Sequence, residues 1–345
     1  MRLLVRTDGG KEIGLGNVYR TLALLQQFEH LCLVEKTDIL FLTGYNAQAA
    51  ELVASHGYRV EHIGRISLEA EIAIQREWAR RWQPHCAVVD VPEAPDRPPE
   101  FFEALRWSSD MLVVNLSDCN SGRHKADLVV EGDIYHCDDP VARAVGQRPR
   151  YLRGPKYWIV NPAFASERDN TERNLSRSGI LISFGGSDPA RLNYKIASLA
   201  DHLSPDISPV TLVVGRGVDH TPTFPPDWHI LQGVSPNQMA KAMHEARVGI
   251  LSGGLTMYEA ACVGLPALII AQNVGQELGA QTFARFRIHN YLGRADEVEI
   301  ERIARACEKL YWDREEWQRK SAQGMNLVDG LAAKRIIEAI IQEMA

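Results

Sequence analysis

Short apolar runs alternate with longer amphipathic stretches along this chain, the pattern of strands alternating with helices. The runs at 3–5, 38–42, 58–63, 87–90, 111–116 and 128–130 predict strands. Between them, 18–28, 47–55, 69–81 and 99–108 carry helical spacing. Arg153-Gly154-Pro155 and the polar stretch 161–177 then interrupt the pattern and read as a boundary with a linker. Beyond it the alternation resumes, with strands predicted at 179–184, 210–214, 228–231, 248–251 and 267–270. Helices are predicted at 191–203, 236–245, 256–263, 298–312 and 332–344. No short-period repeat or low-complexity tract appears. The pattern predicts an α/β chain of two Rossmann-like domains, each a parallel sheet wrapped by helices, with ligands expected in a cleft between the sheets.

Length agrees with two domains, because 345 residues exceed what one core usually organises. The net charge of -6 argues against a nucleic-acid partner, which calls for a basic excess or stripe. No apolar run reaches the roughly 18 residues of a membrane span. The opening Met1-Arg2-Leu3-Leu4-Val5-Arg6 is too short for a signal-peptide core, so a cytoplasmic protein is expected. The six cysteines are scattered without a CxxC pair and read as reduced thiols. His85, His124, His136, His220, His244 and His289 form no ligand-spaced cluster, so neither a metal nor a cofactor is expected.

Glycine-rich strand-to-helix junctions carry the candidate chemistry. The first runs from Arg6 to Asn17 and contains Gly9, Gly10, Gly14 and Gly16 ahead of a helix. It reads either as a tight turn or as a loop that brings backbone N–H groups against an anion. Gly14-x-Gly16 is like part of a dinucleotide fingerprint, but Tyr19 stands where the third glycine would be. Asp8, Glu12 and Arg20 add charge to this loop.

The second junction is Ser252-Gly253-Gly254-Leu255-Thr256, with Glu259 a turn further on. Two glycines admit a diphosphate, two hydroxyls donate to it, and the carboxylate can accept from ribose hydroxyls. The alternative is a capping box between Thr256 and Glu259. The third is Gly185-Gly186-Ser187-Asp188-Pro189, read either as a cleft-lining loop or as a helix cap with proline at the first position. Asp90 and Asp118 each end a predicted strand, as a general base or as a turn former.

Taken in order, these segments resemble the UDP-sugar hydrolase family of pseudaminic acid biosynthesis and its spore-coat polysaccharide relatives, within the two-domain GT-B glycosyltransferase group. The residues that carry the resemblance are Arg6, Asp8, Ile13, Gly14, Gly16 and Arg20, then Gly154-Pro155-Lys156-Tyr157 and Phe184 to Pro189. Ser252 to Glu259, Asn273 with Gln276, and Val328-Asp329-Gly330 complete the set.

The resemblance implies domains at 1–160 and 161–325, with 326–345 returning to the first. It implies UDP on the second domain, held by Ser252, Gly253, Gly254, Thr256 and Glu259, with Gly215 and the segment from Val234 to Met239 bracketing the base. It implies sugar contacts from Gly14, Gly16, Arg20, Gly185, Gly186, Ser187, Asn273 and Gln276. Where the family has its water-activating histidine, this chain has Asn17, which cannot accept a proton at neutral pH. Asp8, Glu12 and Asp90 then stand as alternative bases. A nucleotide-sugar hydrolase, a GT-B glycosyltransferase with a glycan, lipid or protein acceptor, and a non-catalytic nucleotide-sugar binder all remain open.

Overall fold

The computed structural model describes residues 1–10, 13–92, 95–116, 120–134, 149–168, 177–219 and 221–345. The chain divides into two compact units, Met1–Ile159 with Leu331–Ala345, and Val160–Gly330.

Unit 1 opens with β1 (Leu3–Thr7), α1 (Gly16–His30), β2 (Ile39–Thr43), α2 (Ala47–Ser55), β3 (Arg59–His62) and α3 (Leu68–Trp82). It continues with β4 (Cys86–Asp90), α4 (Pro99–Glu103), β5 (Leu112–Asn115), β6 (Leu128–Glu131) and β7 (Arg150–Arg153). The seven strands are parallel in the order β3-β2-β1-β4-β5-β6-β7. Leu3 and Val5 of β1 enter one apolar layer and Leu4 the other, so the strand is buried on both faces and its sequence is continuously apolar.

Unit 2 contains α5 (Pro162–Arg168), β8 (Ile180–Ser183), α6 (Leu192–Ile196), β9 (Val210–Val214), β10 (His229–Gln232), α7 (Pro236–Glu245) and β11 (Val248–Ser252). It closes with α8 (Leu255–Cys262), β12 (Ala267–Ala271), α9 (Val274–Arg285), β13 (Asn290–Arg294), α10 (Ile300–Trp312) and α11 (Arg314–Leu327). Its six strands are parallel in the order β10-β9-β8-β11-β12-β13. The last helix, α12 (Ala332–Met344), belongs to unit 1, where Ile336, Ile337 and Ile340 join the apolar layer beside α1.

Several expectations are corrected. The stretch 161–177 contains α5, so it is not wholly linker, and 169–176 lies outside the described residues. The segment before Gly154 is an edge strand, β7; with Arg at both ends it offers little apolar signal. The helix expected at 191–203 breaks after α6 into a 3-10 turn at Leu199–Asp201, and that expected at 99–108 stops at Glu103. Besides β7 and α5, the elements α9, β13 and α11 were not read from the sequence. The last buries only Trp317, Lys320, Ser321 and Gly324, a sparse apolar stripe.

A buried ionic cluster holds the end of β1. Arg6 donates to Asp8 at 2.6 Å and, through two nitrogens, to Glu71 of α3. Asp8 Oδ1 also accepts the Gly44 and Tyr45 N–H groups after β2 at 2.7 and 3.0 Å. Burial alone would raise the Asp8 carboxyl; the Arg6 guanidinium outweighs it and holds the carboxyl below the usual range. In unit 2, buried His289 accepts the Ala267 N–H at Nδ1, so Nε2 carries the proton that bonds Met257 O at 2.9 Å. Burial keeps this ring neutral, with its pKa pushed down to about 4.

Two outcomes follow for stability. Asp8→Asn removes one of the two buried carboxylates that neutralise Arg6, the other being Glu71, and is expected to cost about 3 kcal/mol in urea unfolding at pH 7. That gap should narrow as pH falls below about 4, because the unfolded carboxyl takes up its proton there while the native one, held lower by Arg6, does not. The His289 contribution is complete above about pH 6.5 and is lost as pH falls toward 4, because the unfolded ring takes up its proton first. His289→Gln should flatten that part of the stability–pH curve; an unchanged slope between pH 6.5 and 4 would count against the assignment.

Candidate functional site

In open parallel sheets, ligands bind beyond the carboxyl ends of the strands where the strand order reverses. In unit 1 that point lies between β1 and β4, with Thr7 beside Asp90. In unit 2 it lies between β8 and β11, with Ser183 beside Leu251. The glycine-rich segments singled out in the sequence are the loops at these two points.

In unit 1 the first loop closes on itself, Gly10 N–H donating to Gly14 O at 2.8 Å. Gly14 has φ +77°, which favours glycine. A Cβ on Gly10 would stand 2.7 Å from Asn46 Cβ, so this glycine serves packing against the cap of α2. Lys11 and Glu12 lie outside the described residues, as does Asp118. Gly16 and Asn17 open α1.

Asp90 is fully buried, and both its oxygens are engaged. Arg20 donates to Oδ2 at 2.8 Å and to Oδ1 at 2.6 Å, and Asn17 Nδ2 donates to Oδ1 at 2.9 Å. Burial and these donors give no support to the expectation that Asp90 or Asp8 acts as a general base. A base must present a lone pair to the proton it takes, and these carboxylates are held by guanidinium and amide donors. Asp90 instead orients its neighbours. Because it accepts from the Asn17 amide nitrogen, the Asn17 oxygen faces away and remains an acceptor. Arg20 also lies over the Trp158 ring, 5.6 Å from its centroid, beside a shallow hollow lined by Leu116, Val130, Gly132 and Asp133.

In unit 2 the loop after β11 leads directly into α8. Gly254 is the helix N-cap and no side chain caps it. The capping box between Thr256 and Glu259 is therefore absent, and the first turn of α8 carries no side-chain acceptor of its own. Ser252 and Thr256 are buried, in front of Glu259. Glu259 is partly buried, and no hydrogen bond or ion pair holds its carboxyl among the described residues. Desolvation pushes that carboxyl up to about 7.

The loop after β8 gives a different cap from the expected one. Asp188, at φ +43°, accepts the N–H groups of Leu192 and Asn193 at 2.9 and 2.8 Å, while Pro189 stands in the turn ahead of α6. Gly215 packs against this loop: a Cβ there would meet Gly185 O at 2.3 Å and Gly186 O at 2.4 Å. The adjoining Gly217 N–H donates to Gly186 O at 2.8 Å. Val234 and Ser235 lead into α7, whose capping box joins Ser235 and Gln238, and Met239 is buried one turn in. Asn273 caps α9 by accepting the Gln276 N–H at 2.9 Å. Gln276 Oε1 in turn accepts the Gly253 N–H at 3.2 Å.

Unit 2 thus brings Gly185, Gly186, Gly215, Ser252, Gly253, Gly254, Glu259 and Gln276 to one sheet edge, and unit 1 gathers Asn17, Arg20 and Asp90. Sequence reasoning missed Gln272, whose side chain reaches the loop after β8, and the pairing of Arg20 with Trp158. Neither has a spacing signal, since both depend on which loops the sheet order makes neighbours. Among the described residues, no three His, Cys, Asp or Glu side chains gather as a metal site, and no helix is long and apolar enough to cross a membrane.

No family model matches the chain. It is 29% identical over 294 residues to the spore coat polysaccharide biosynthesis protein SpsG of Bacillus subtilis strain 168, covering 82% of this chain and 81% of that one. Among solved structures it is similar to MurG of Acinetobacter baumannii, with a TM-score of 0.70, 13% identity, and 99% and 100% of the two chains covered. It is also similar to the spinosyn forosaminyltransferase SpnP, with a TM-score of 0.64, 12% identity, and 100% and 99% covered. At these identities the structural likeness establishes the fold, two Rossmann-like parallel-sheet units of the GT-B type.

Proposed function

We propose that this protein processes a nucleoside-diphosphate sugar in surface polysaccharide assembly, breaking the bond between the anomeric carbon and the diphosphate oxygen. The observation that carries the reading is Glu259. An acid without a partner, raised to about 7 and set one turn into a helix behind Gly253-Gly254, is costly unless something binds there. A ribose supplies two hydroxyl donors to such a carboxylate. The uncapped N-terminus of α8 suits the diphosphate ahead of it, and its N–H groups would stabilise the charge that grows on the leaving nucleotide. The similarity to the spore coat polysaccharide protein and the GT-B fold support the same substrate class. UDP is the nucleotide implied by the family resemblance.

In the hydrolytic reading, the outward oxygen of Asn17 accepts a hydrogen bond from the attacking water and Arg20 contacts the sugar. Asn17 holds the nucleophile without taking its proton, which passes to the departing diphosphate oxygen as the anomeric bond breaks. In the transfer reading, an acceptor hydroxyl occupies that place. The same contact from Asn17 serves a water or an acceptor hydroxyl, so both readings fit this site.

Calorimetric titration with UDP, CDP, GDP and dTDP, without added metal, tests the reading. One nucleotide should bind preferentially, and Glu259→Ala should abolish the binding; silence from all four would sink it. Affinity should rise as pH climbs from 6 to 8, because only ionised Glu259 accepts from both hydroxyls, and Glu259→Gln should flatten that dependence. The sign for the nucleotide-free protein is opposite. Its native carboxyl is raised above the unfolded value, so this stability is full below about pH 4.5 and is lost as pH rises toward 7. Glu259→Gln should therefore stabilise the free protein at pH 8, by about 1–3 kcal/mol.

A further inference from the structure

Gln272 follows β12, and its side chain leaves its own loop. Nε2 donates to Phe184 O at 2.7 Å, and Oε1 accepts the Ala190 N–H at 3.1 Å. Phe184 and Ala190 bracket Gly185-Gly186-Ser187, so one carboxamide ties the loop after β8 near both its ends. On the other side, the Gln272 main-chain N–H donates to Gln276 Oε1 at 3.0 Å, and this oxygen also accepts the Gly253 N–H at 3.2 Å. The loops after β8, β11 and β12 are thus joined through two residues, Gln272 to the first and Gln276 to the second.

The two N–H donors also fix which end of the Gln276 carboxamide is oxygen. Its Nε2 then lies near Gly254, 3.9 Å from where a Cβ on that glycine would stand. Packing enforces the same register. A Cβ on Gly253 would come within 2.8 Å of Gln276 Cβ, and one on Gly185 would stand 3.6 Å from Ser252 Oγ. Pairing of β8 with β11 sets the two glycine loops side by side, and the bonds to Gln272 and Gln276 tie down the loops beyond the paired strands.

We propose that Gln272 is a positioning residue for nucleotide binding. It holds the Gly185-Gly186 loop against the Gly253-Gly254 loop, so that the backbone N–H groups of both meet a nucleoside diphosphate already in register. The proposal rests on the reading that unit 2 carries the nucleotide. Gln272 need not touch the ligand. Without its two side-chain bonds, the loops would have to be ordered by the ligand, and that ordering subtracts from affinity.

The test compares wild type, Gln272→Met, Gln272→Asn and Glu259→Ala by calorimetric titration with UDP, alongside thermal melting of each nucleotide-free protein. Methionine keeps the length and removes both donor and acceptor; asparagine keeps the amide but is one methylene too short to span. Both variants should bind UDP roughly tenfold more weakly. Their melting midpoints should stay within about 2 °C of wild type, since a partly exposed loop residue contributes little to the core. Hydrogen exchange at the Ala190 amide should accelerate. Wild-type affinity in Gln272→Met would overturn the proposal, as would weaker binding accompanied by a comparable loss of melting temperature in both variants. If wild type is folded but binds no nucleotide, the reading of the site fails and the proposal with it. If wild type binds, Glu259→Ala does not and Gln272→Met binds normally, only the proposal fails.

Discussion

Parallel strands buried on both faces constrain everything else in this protein. A parallel sheet needs a crossover after every strand, and each crossover helix covers one face or the other. Every loop that follows a strand therefore emerges at the same edge. In unit 1 that edge carries the ends of β1 and β4, and in unit 2 the ends of β8 and β11. Segments separated by tens of residues meet there with their backbone groups still available.

The glycines at these edges serve two purposes that sequence alone does not separate. Gly215 and Gly253 are required by contact with neighbouring chain, since a Cβ at either would overlap backbone or side-chain atoms. Gly186 and Gly14 meet nothing within 4 Å and leave open space above the loop. Close packing between loops builds the rim, and the open glycines give an anion a way to approach it.

Charge is distributed in the same two ways. Arg6, Asp8 and Glu71 neutralise one another inside unit 1, and Asp90 is matched by Arg20 and Asn17. These groups hold loops in place, and their lone pairs are occupied. Among the described residues Glu259 has no such match, and burial raises it toward neutrality.

The sequence by itself determined the alternation of strands and helices, the two-unit α/β architecture and the glycine-rich loops, because continuous apolar runs and glycine clusters are local signals. It left out β7 and α11, whose apolar residues are too few to stand above the polar background. It also placed Asp8 and Asp90 among possible bases, because a carboxylate at a strand end looks the same whether its partner is water or arginine. Only the tertiary structure decided that Arg20 and Asn17 occupy Asp90, that Glu259 has no partner among the described residues, and that Gln272 and Gln276 join three loops. Those facts depend on strand order, which brings together residues that carry no information about one another along the chain.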